Sequence, residues 1–383
     1  MRNTKIALAV LALVASTAAM AEVQISGRVE FGAQSASGSD SYTASKAAGY
    51  NLAGSELRFT GSEELEGGLK ASFYLASGFD AANGRLNDGG EATQLGTVPQ
   101  TGTSVSVTNT SIFNRGANVS LEGAFGKVTG GRQYTPTTLA YGTGDPNAGN
   151  SNHVLHMVQT GMAANFWADK AINYTTPNVS GFSGSVMWAA GDNTNAASQT
   201  ATTAKTGQDL GYSVSYNAGD VNVSAAQYKN GCNSGTQSGY CWTSSVFGAN
   251  YTMGDLTIGL GGTSTNNQTG SIGGRFSLGT NMTGFATGEG KSNGYFGGAS
   301  YKLGATTLGV SYYTNKYKIA TDGANLVAFS ARHSLSKNTT LFAQYNKAGK
   351  QRDDGGYLSN YNGTAADDVK GASAFFTGLL VNF

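Results

Sequence analysis

The sequence predicts an all-β chain that closes into a transmembrane antiparallel up-and-down β-barrel, and three observations carry the prediction. Apolar and polar residues alternate with a period of two over segments of about ten residues, the length of a tilted membrane crossing. Short turns at one end of these segments alternate with long Asn/Thr/Ser/Gly-rich loops at the other, the asymmetry of a barrel whose two rims face different compartments. Charged residues make up 12% of the chain, where about 25% is usual for a soluble domain. Mean hydropathy is nevertheless slightly negative, and beyond the first residues no uncharged apolar run approaches the length of a membrane helix. A helical membrane protein is thereby excluded, and an ordinary soluble domain is disfavoured. What remains is a chain that hides its polar residues from lipid by alternation.

The first element is a leader. Arg2 and Lys5 precede an apolar run from Ile6 to Ala15, and Ala19-Met20-Ala21 forms a cleavage pattern before Glu22. Residues 1–21 are read as a secretory signal and 22–383 as a single barrel domain. The leader takes two basic and no acidic residues, so the 24 Lys+Arg fall to 22 against 23 Asp+Glu. A balance near zero offers no basic surface for nucleic acid.

The first barrel segment, EVQISGRVEFGAQ, places Val23, Ile25, Val29 and Phe31 on one face and Gln24, Ser26, Arg28 and Glu30 on the other. A hairpin follows: Leu57 and Phe59 alternate with Glu56, Arg58 and Thr60, a turn spans Glu63 to Gly68, and Leu69, Ala71, Phe73 and Leu75 alternate with Lys70, Ser72 and Tyr74. The stretch FNRGANVSLEGAFGKVTGGRQYTP (113–136) reads as two more strands. It launches a long Gly/Asn/Thr/Ala segment, 137–169, which in a closed barrel goes either outward into water or inward across the lumen.

Further short turns are read at PNVSG (177–181), NAGD (217–220), MGD (253–255), GTNM (279–282), KLGA (302–305) and LSKN (335–338). With those at Glu63 to Gly68 and at EGAF (122–125), the turn count allows 18 strands. Tyr212, Tyr216, Tyr228, Tyr251, Tyr301, Tyr312, Tyr313 and Tyr345 fall where strands meet turns and loops, as interfacial girdles do. Cys232 and Cys241, nine apart in an exported chain, are read as a disulfide closing one loop. The chain ends AFFTGLLVNF, a strand that can close against the first.

LRFTGSEELEGGLKASFYLASGFDAANG (57–84), FNRGANVSLEGAFGKVTGGRQYTP, INYTTPNVSGFSGSVMW (172–188), LSKNTTLFAQY (335–345) and the terminal Phe383 resemble the general-diffusion porins of the Gram-negative outer membrane, especially the trimeric neisserial and burkholderial branch. The resemblance implies a homotrimer of 16-strand barrels in the outer membrane, each with its third loop folded into the lumen. It implies passive diffusion of ions and small hydrophilic solutes, with no catalytic activity and no cofactor, and makes Phe383 an outer-membrane assembly signal. A channel with a saturable, substrate-specific site is the alternative.

In that family, acidic residues of the third loop face basic residues on the wall. Asp145 is the acidic candidate for the pore constriction here, against a turn-capping role in GDPN. Alternation points Arg28, Arg58 and Lys70 inward, because a charge on the lipid face at mid-bilayer costs about 2 to 4 kcal/mol. Arg115 matches a constriction position of the family yet shares parity with Ala117, Val119 and Leu121; Ala117 and Val119 are weak lipid markers, so it is read as inward. Arg132 shares parity with Val128 and Tyr134, which places it outward, near the loop rim or a subunit interface. Glu56, Thr60 and Asn173 stand where the family often has wall cations, so the basic cluster reads as thin and strong anion preference as doubtful.

Asp353-Asp354 and Asp367-Asp368 in the last long loop could bind calcium or bridge lipopolysaccharide through divalent ions; solvated loop charge is the plainer reading. Gly290-Lys291-Ser292 lacks the earlier glycine of a phosphate loop, since residue 285 is Phe. His153, His156 and His333 suggest neither a hydrolytic triad nor a metal site.

Overall fold

The computed structural model describes residues 23–37, 54–79, 81, 84, 112–147, 166–190, 208–231, 240–267, 290–317, 324–349 and 373–383. They form sixteen strands: β1 (Gln24–Ser37), β2 (Ser55–Leu65), β3 (Leu69–Phe79), β4 (Gly116–Gly123), β5 (Gly126–Tyr134), β6 (Trp167–Thr175), β7 (Phe182–Ala189), β8 (Asp209–Ala218), β9 (Val221–Gly231), β10 (Tyr240–Met253), β11 (Leu256–Asn267), β12 (Gly290–Leu303), β13 (Thr306–Tyr317), β14 (Ala324–Ser334), β15 (Thr339–Ala348) and β16 (Ser373–Asn382). Every strand pairs antiparallel with its neighbours in sequence, and β16 pairs with β1, so the sheet is closed and has no free edge.

The eighteen-strand count fails at one place. β11 and β12 pair from Leu256↔Tyr301 to Asn267↔Gly290, which leaves no room in the closed sheet for a further hairpin at GTNM. That turn lies outside the described residues, as do the leader and Cys232.

The pleat decides what each face carries. On β1, Ile25 and Phe31 are exposed while Glu30 is buried; on β11, Leu260 is exposed and Gly261 is buried. Exposed Val119, Ile172, Val186, Val214, Leu308 and Phe329 continue the apolar outer face around the barrel. Lipid covers such a face in a membrane, whereas water would not tolerate so large an apolar surface. Tyr251 and Tyr301 are exposed near the short-turn rim, and Tyr212, Tyr312 and Tyr345 nearer the loop rim, as girdle residues are. Tyr228 and Tyr313 correct the girdle assignment: both point inward and are fully buried.

Turn chemistry explains the tight rim. Gly219, Gly254 and Gly304 open two-residue turns with φ near +59°, a conformation that side chains with a Cβ rarely adopt. At the seam, Gly27 N donates to Phe383 O at 2.9 Å and Phe383 N donates to Gly27 O at 3.0 Å.

After β5 the chain forms a helix, α1 (Pro136–Gly144). Thr135 caps it, its Oγ1 accepting from Thr138 N at 3.4 Å, and Pro136 occupies the first turn, where its missing N–H costs nothing. The helix packs against β8, β9, β10 and β11 on the face opposite the exposed apolar side chains.

Candidate functional site

Two groups of side chains face each other around the ring of strands. The first is built on β1 to β4. Arg28 and Glu56 are direct cross-strand partners on the inner face, and Arg58 follows Glu56 by two residues on that face. Arg115, just before β4, reaches the same carboxylate. Arg115 Nη1 donates to Glu56 Oε2 at 2.7 Å and Arg28 Nη2 to the same oxygen at 3.2 Å. Arg58 Nε donates to Glu56 Oε1, and Tyr74 Oη to that oxygen at 3.4 Å. Arg28 Nε is held by Gly54 O at 2.8 Å.

Glu56 is therefore the hub of the basic cluster, which corrects the expectation that it thins it. A carboxylate buried at 2% exposure is tolerated only where it is paired, and here three guanidinium groups pair it. One negative among three positive charges leaves a site of net charge +2, with Arg58 the most exposed of the three at 39%.

Lys70 does not belong to this cluster. It lies near the short-turn rim and pairs with Glu64 Oε1 at 3.1 Å, both side chains open to solvent. Such a pair contributes about 0 to 1 kcal/mol and steers little in the barrel interior. Arg132 lies near the loop end of β5, tied to Asp169 Oδ1, to Asn114 O at 2.7 Å and over the Trp167 ring at 5.3 Å. The bulge that sets two β6 residues, Asp169 and Lys170, opposite Arg132 brings Asp169 to it.

The second group is the end of α1. Asp145 is buried, its Oδ2 accepting from Tyr313 Oη at 2.8 Å and its Oδ1 from Asn147 N at 3.0 Å. Asn147 Nδ2 donates to Ala299 O, Val310 O and Ser311 Oγ at 3.2, 3.1 and 2.7 Å. Asn250 Nδ2 donates to Thr143 O at 2.7 Å, and Tyr141 stacks on Phe296 with centroids 4.2 Å apart.

Asp145 was expected as the acidic face of a constriction. It is instead a wall anchor, because its oxygens are spent on β13 and on its own turn. Burial pushes its carboxyl up to about 6, against the opposing pull of the bonds from Tyr313, Asn147 and Ser311. His153 and His156 lie outside the described residues.

Close approach of α1 to the wall depends on glycine. A Cβ on Gly248 would lie 2.3 Å from Ala140 O and 2.6 Å from Gly144 N, both backbone atoms. Gly248→Val is expected to leave the barrel intact and lift α1 off β10, which single-channel recording would register as a larger and noisier conductance; wild-type conductance would show that the contact does not hold the segment.

Sequence reasoning missed Glu56 as hub, Tyr74 as its fourth donor, Tyr313 as the anchor's partner, and Arg332. Arg332 lies on the inner face of β14 and interacts electrostatically with Glu30, which is itself buried and accepts from Gly54 N at 3.1 Å. Parity alone could have found Arg332, since its neighbours Phe329 and Leu341 are outward apolar residues.

Residues 7–354 match the family model described as Gram-negative porin. Among curated proteins the chain is similar to the major outer membrane protein P.IB of Neisseria gonorrhoeae, with 31% identity over 202 residues, 50% of this chain and 49% of the relative. The alignment thus spans about half the length of that relative. Among solved structures, an anion-selective porin from Comamonas acidovorans aligns with TM-score 0.67 and 21% identity, covering 95% of this chain and all of that one. Salmonella typhi OmpF in complex with daunomycin aligns with TM-score 0.64 and 17% identity over 95% and 98% of the two chains. At these identities the structural likeness concerns the fold.

Proposed function

The chain belongs to the Gram-negative porin family, and we propose on that premise that it is a passive outer-membrane channel for ions and small hydrophilic solutes, with a preference for anions. The observation that carries the reading is the inward cluster of Arg28, Arg58 and Arg115 around Glu56, on the wall opposite the strands that hold α1. A net positive site in a water-filled barrel raises the local concentration of anions and lowers that of cations. Residues 135–147, the described start of the third loop, lie on the inner wall across from this cluster, so that solutes pass between them and the arginines. The name of the Comamonas porin, anion-selective, supports the sign of the preference.

The functional unit is a homotrimer. Supporting this, the outer face of β2 to β6 carries a shallow groove of about 600 Å³ over Gly61, Ala71 and Gly130, flanked by exposed Val119 and Ile172, which suits close packing of a second copy. Vibrio cholerae OmpT, a structural relative at TM-score 0.57 and 13% identity, is described in a trimer form. Export by the leader, a Cys232–Cys241 bridge and the assembly role of Phe383 complete the proposal.

Purified, folded protein added to a planar bilayer is expected to give stepwise conductance that rises in proportion to salt, and in a salt gradient a zero-current potential of anion-selective sign. Absence of steps from folded protein would overturn the channel reading; a cation-selective sign would overturn the role given to the arginines.

A further inference from the structure

Arg58 differs from the other two arginines of the cluster in what it leaves available. Its Nε is spent on Glu56, neither terminal nitrogen has an acceptor among the described residues, and 39% of the side chain is open. A guanidinium whose two terminal nitrogens are both unengaged is a two-pronged donor, the geometric match of a carboxylate.

Tyr134 stands at the edge of the same cluster. Its phenol interacts electrostatically with Glu56 and with Arg115, Arg28 and Arg58, which places the side chain on the lumen side, and 41% of it is exposed. Tyr134 and Trp167 are direct cross-strand partners whose rings stack with centroids 5.5 Å apart. Arg132 in turn covers Trp167 at 5.3 Å, so the Tyr134 ring has a fixed backing. Among the described residues nothing hydrogen-bonds to its hydroxyl.

The third part comes from α1. The helix turns Thr137, Thr138, Ala140, Tyr141 and Gly144 to the wall and leaves Leu139 61% exposed toward the lumen. Counted from the Thr135 cap, Tyr134 and Leu139 occupy the two positions that meet across a helix start. An aromatic ring and a branched alkyl group thus border a cationic fork in a water-filled passage.

We propose that Arg58, Tyr134 and Leu139 form a binding site for aromatic carboxylates, so that the channel favours a flat organic anion over a small aliphatic anion of the same charge. The carboxylate takes the free end of Arg58, and the ring leaves water against Tyr134 and Leu139. All three side chains are exposed, so a solute is held weakly enough to leave again, as passage requires. The proposal rests on the anion-channel reading above and refines it by naming the solute class.

The test measures block of chloride current through the full-length barrel in a planar bilayer at about 0.1 M salt, with benzoate and acetate added in turn. Benzoate is expected to block saturably, with a half-blocking concentration about tenfold below that of acetate. Tyr134→Ala should raise the benzoate value about tenfold and Leu139→Ala about threefold, with the acetate value unmoved in both. Arg58→Lys keeps the charge but loses the fork, and should weaken block by both anions. Equal half-blocking concentrations for benzoate and acetate in the wild type overturn the proposal, as does a benzoate value that neither Tyr134→Ala nor Leu139→Ala moves. Circular dichroism of each variant separates lost binding from lost fold. Saturation-transfer NMR with benzoate on the detergent-folded wild type reads the contact without any current, so that failure of this site is distinct from failure of the channel reading.

Discussion

Replacing Arg28, Arg58 and Arg115 together by Gln is expected to reverse the ion preference of the channel, from anions to cations. The three arginines and Glu56 carry a net charge of +2, and in the triple variant, where the shorter Gln side chains open Glu56 to lumen water, that carboxylate stands alone at −1. A unit charge about 5 Å from a passing ion in water contributes about 0.8 kcal/mol, roughly a fourfold change in local ion concentration. Screening sets in beyond about 10 Å at 0.1 M salt, so the effect is largest in dilute solution and fades as salt rises. The measurement is the zero-current potential in a potassium chloride gradient, which should change sign.

Graded variants separate the contributions. Arg58→Gln removes the most exposed guanidinium and should give the largest single shift, whereas Arg115→Gln removes one that is nearly buried and acts through the placement of Glu56. Glu56→Gln should raise anion preference while weakening the barrel locally, because three like charges lose the group that gathers them. If the triple variant keeps wild-type selectivity, ion preference is set elsewhere in the lumen.

The barrel was legible because its determinants are local. Alternation along Val23 to Phe31 assigns the faces of β1, and Gly254-Asp255 marks a turn without reference to any distant residue. GTNM deceived because its composition suits a loop as well as a turn, and only the direct pairing of β11 with β12 decides between them. The cluster was half legible. Parity placed Arg28 and Arg58 inward, but Glu56 became intelligible only when Arg115, 59 residues away, joined it. The helix α1 was missed although Thr135-Pro136 is a start signal, since Gly142 and Gly144 give the segment poor propensity and tertiary contacts with β8 to β11 hold it. Asp145 was misplaced for the same reason: its depth is decided by Tyr313, 168 residues later, and no local pattern announces that meeting.

That meeting supplies the second large effect. Tyr313→Phe is expected to loosen α1 from the wall at neutral pH and to recover in acid. Tyr313 Oη donates to the buried Asp145 carboxylate at 2.8 Å, and a hydrogen bond to a charged group is worth about 1.5 to 3 kcal/mol. Its loss shifts the docking equilibrium by roughly ten- to a hundredfold. Single-channel records at pH 7.5 should therefore show frequent excursions to a wider level, with ion preference unchanged because the arginines are untouched. The docked carboxyl titrates near 6, above the 3.8 of a free aspartate, so the docked state binds its proton more tightly than the released one. Docking accordingly strengthens as pH falls through the window from about 6 to about 4, and that gain is lost as pH rises back through it. The groups that face the carboxyl are Tyr313 on β13, which donates to it, Ser311 on the same strand and Asn147 of its own turn. Excursions in the variant should thus become rarer at pH 4.5, where a protonated Asp145 no longer carries a buried charge. An excursion rate that is the same at both pH values, or higher in acid, would show that Asp145 is not what holds the segment to the wall.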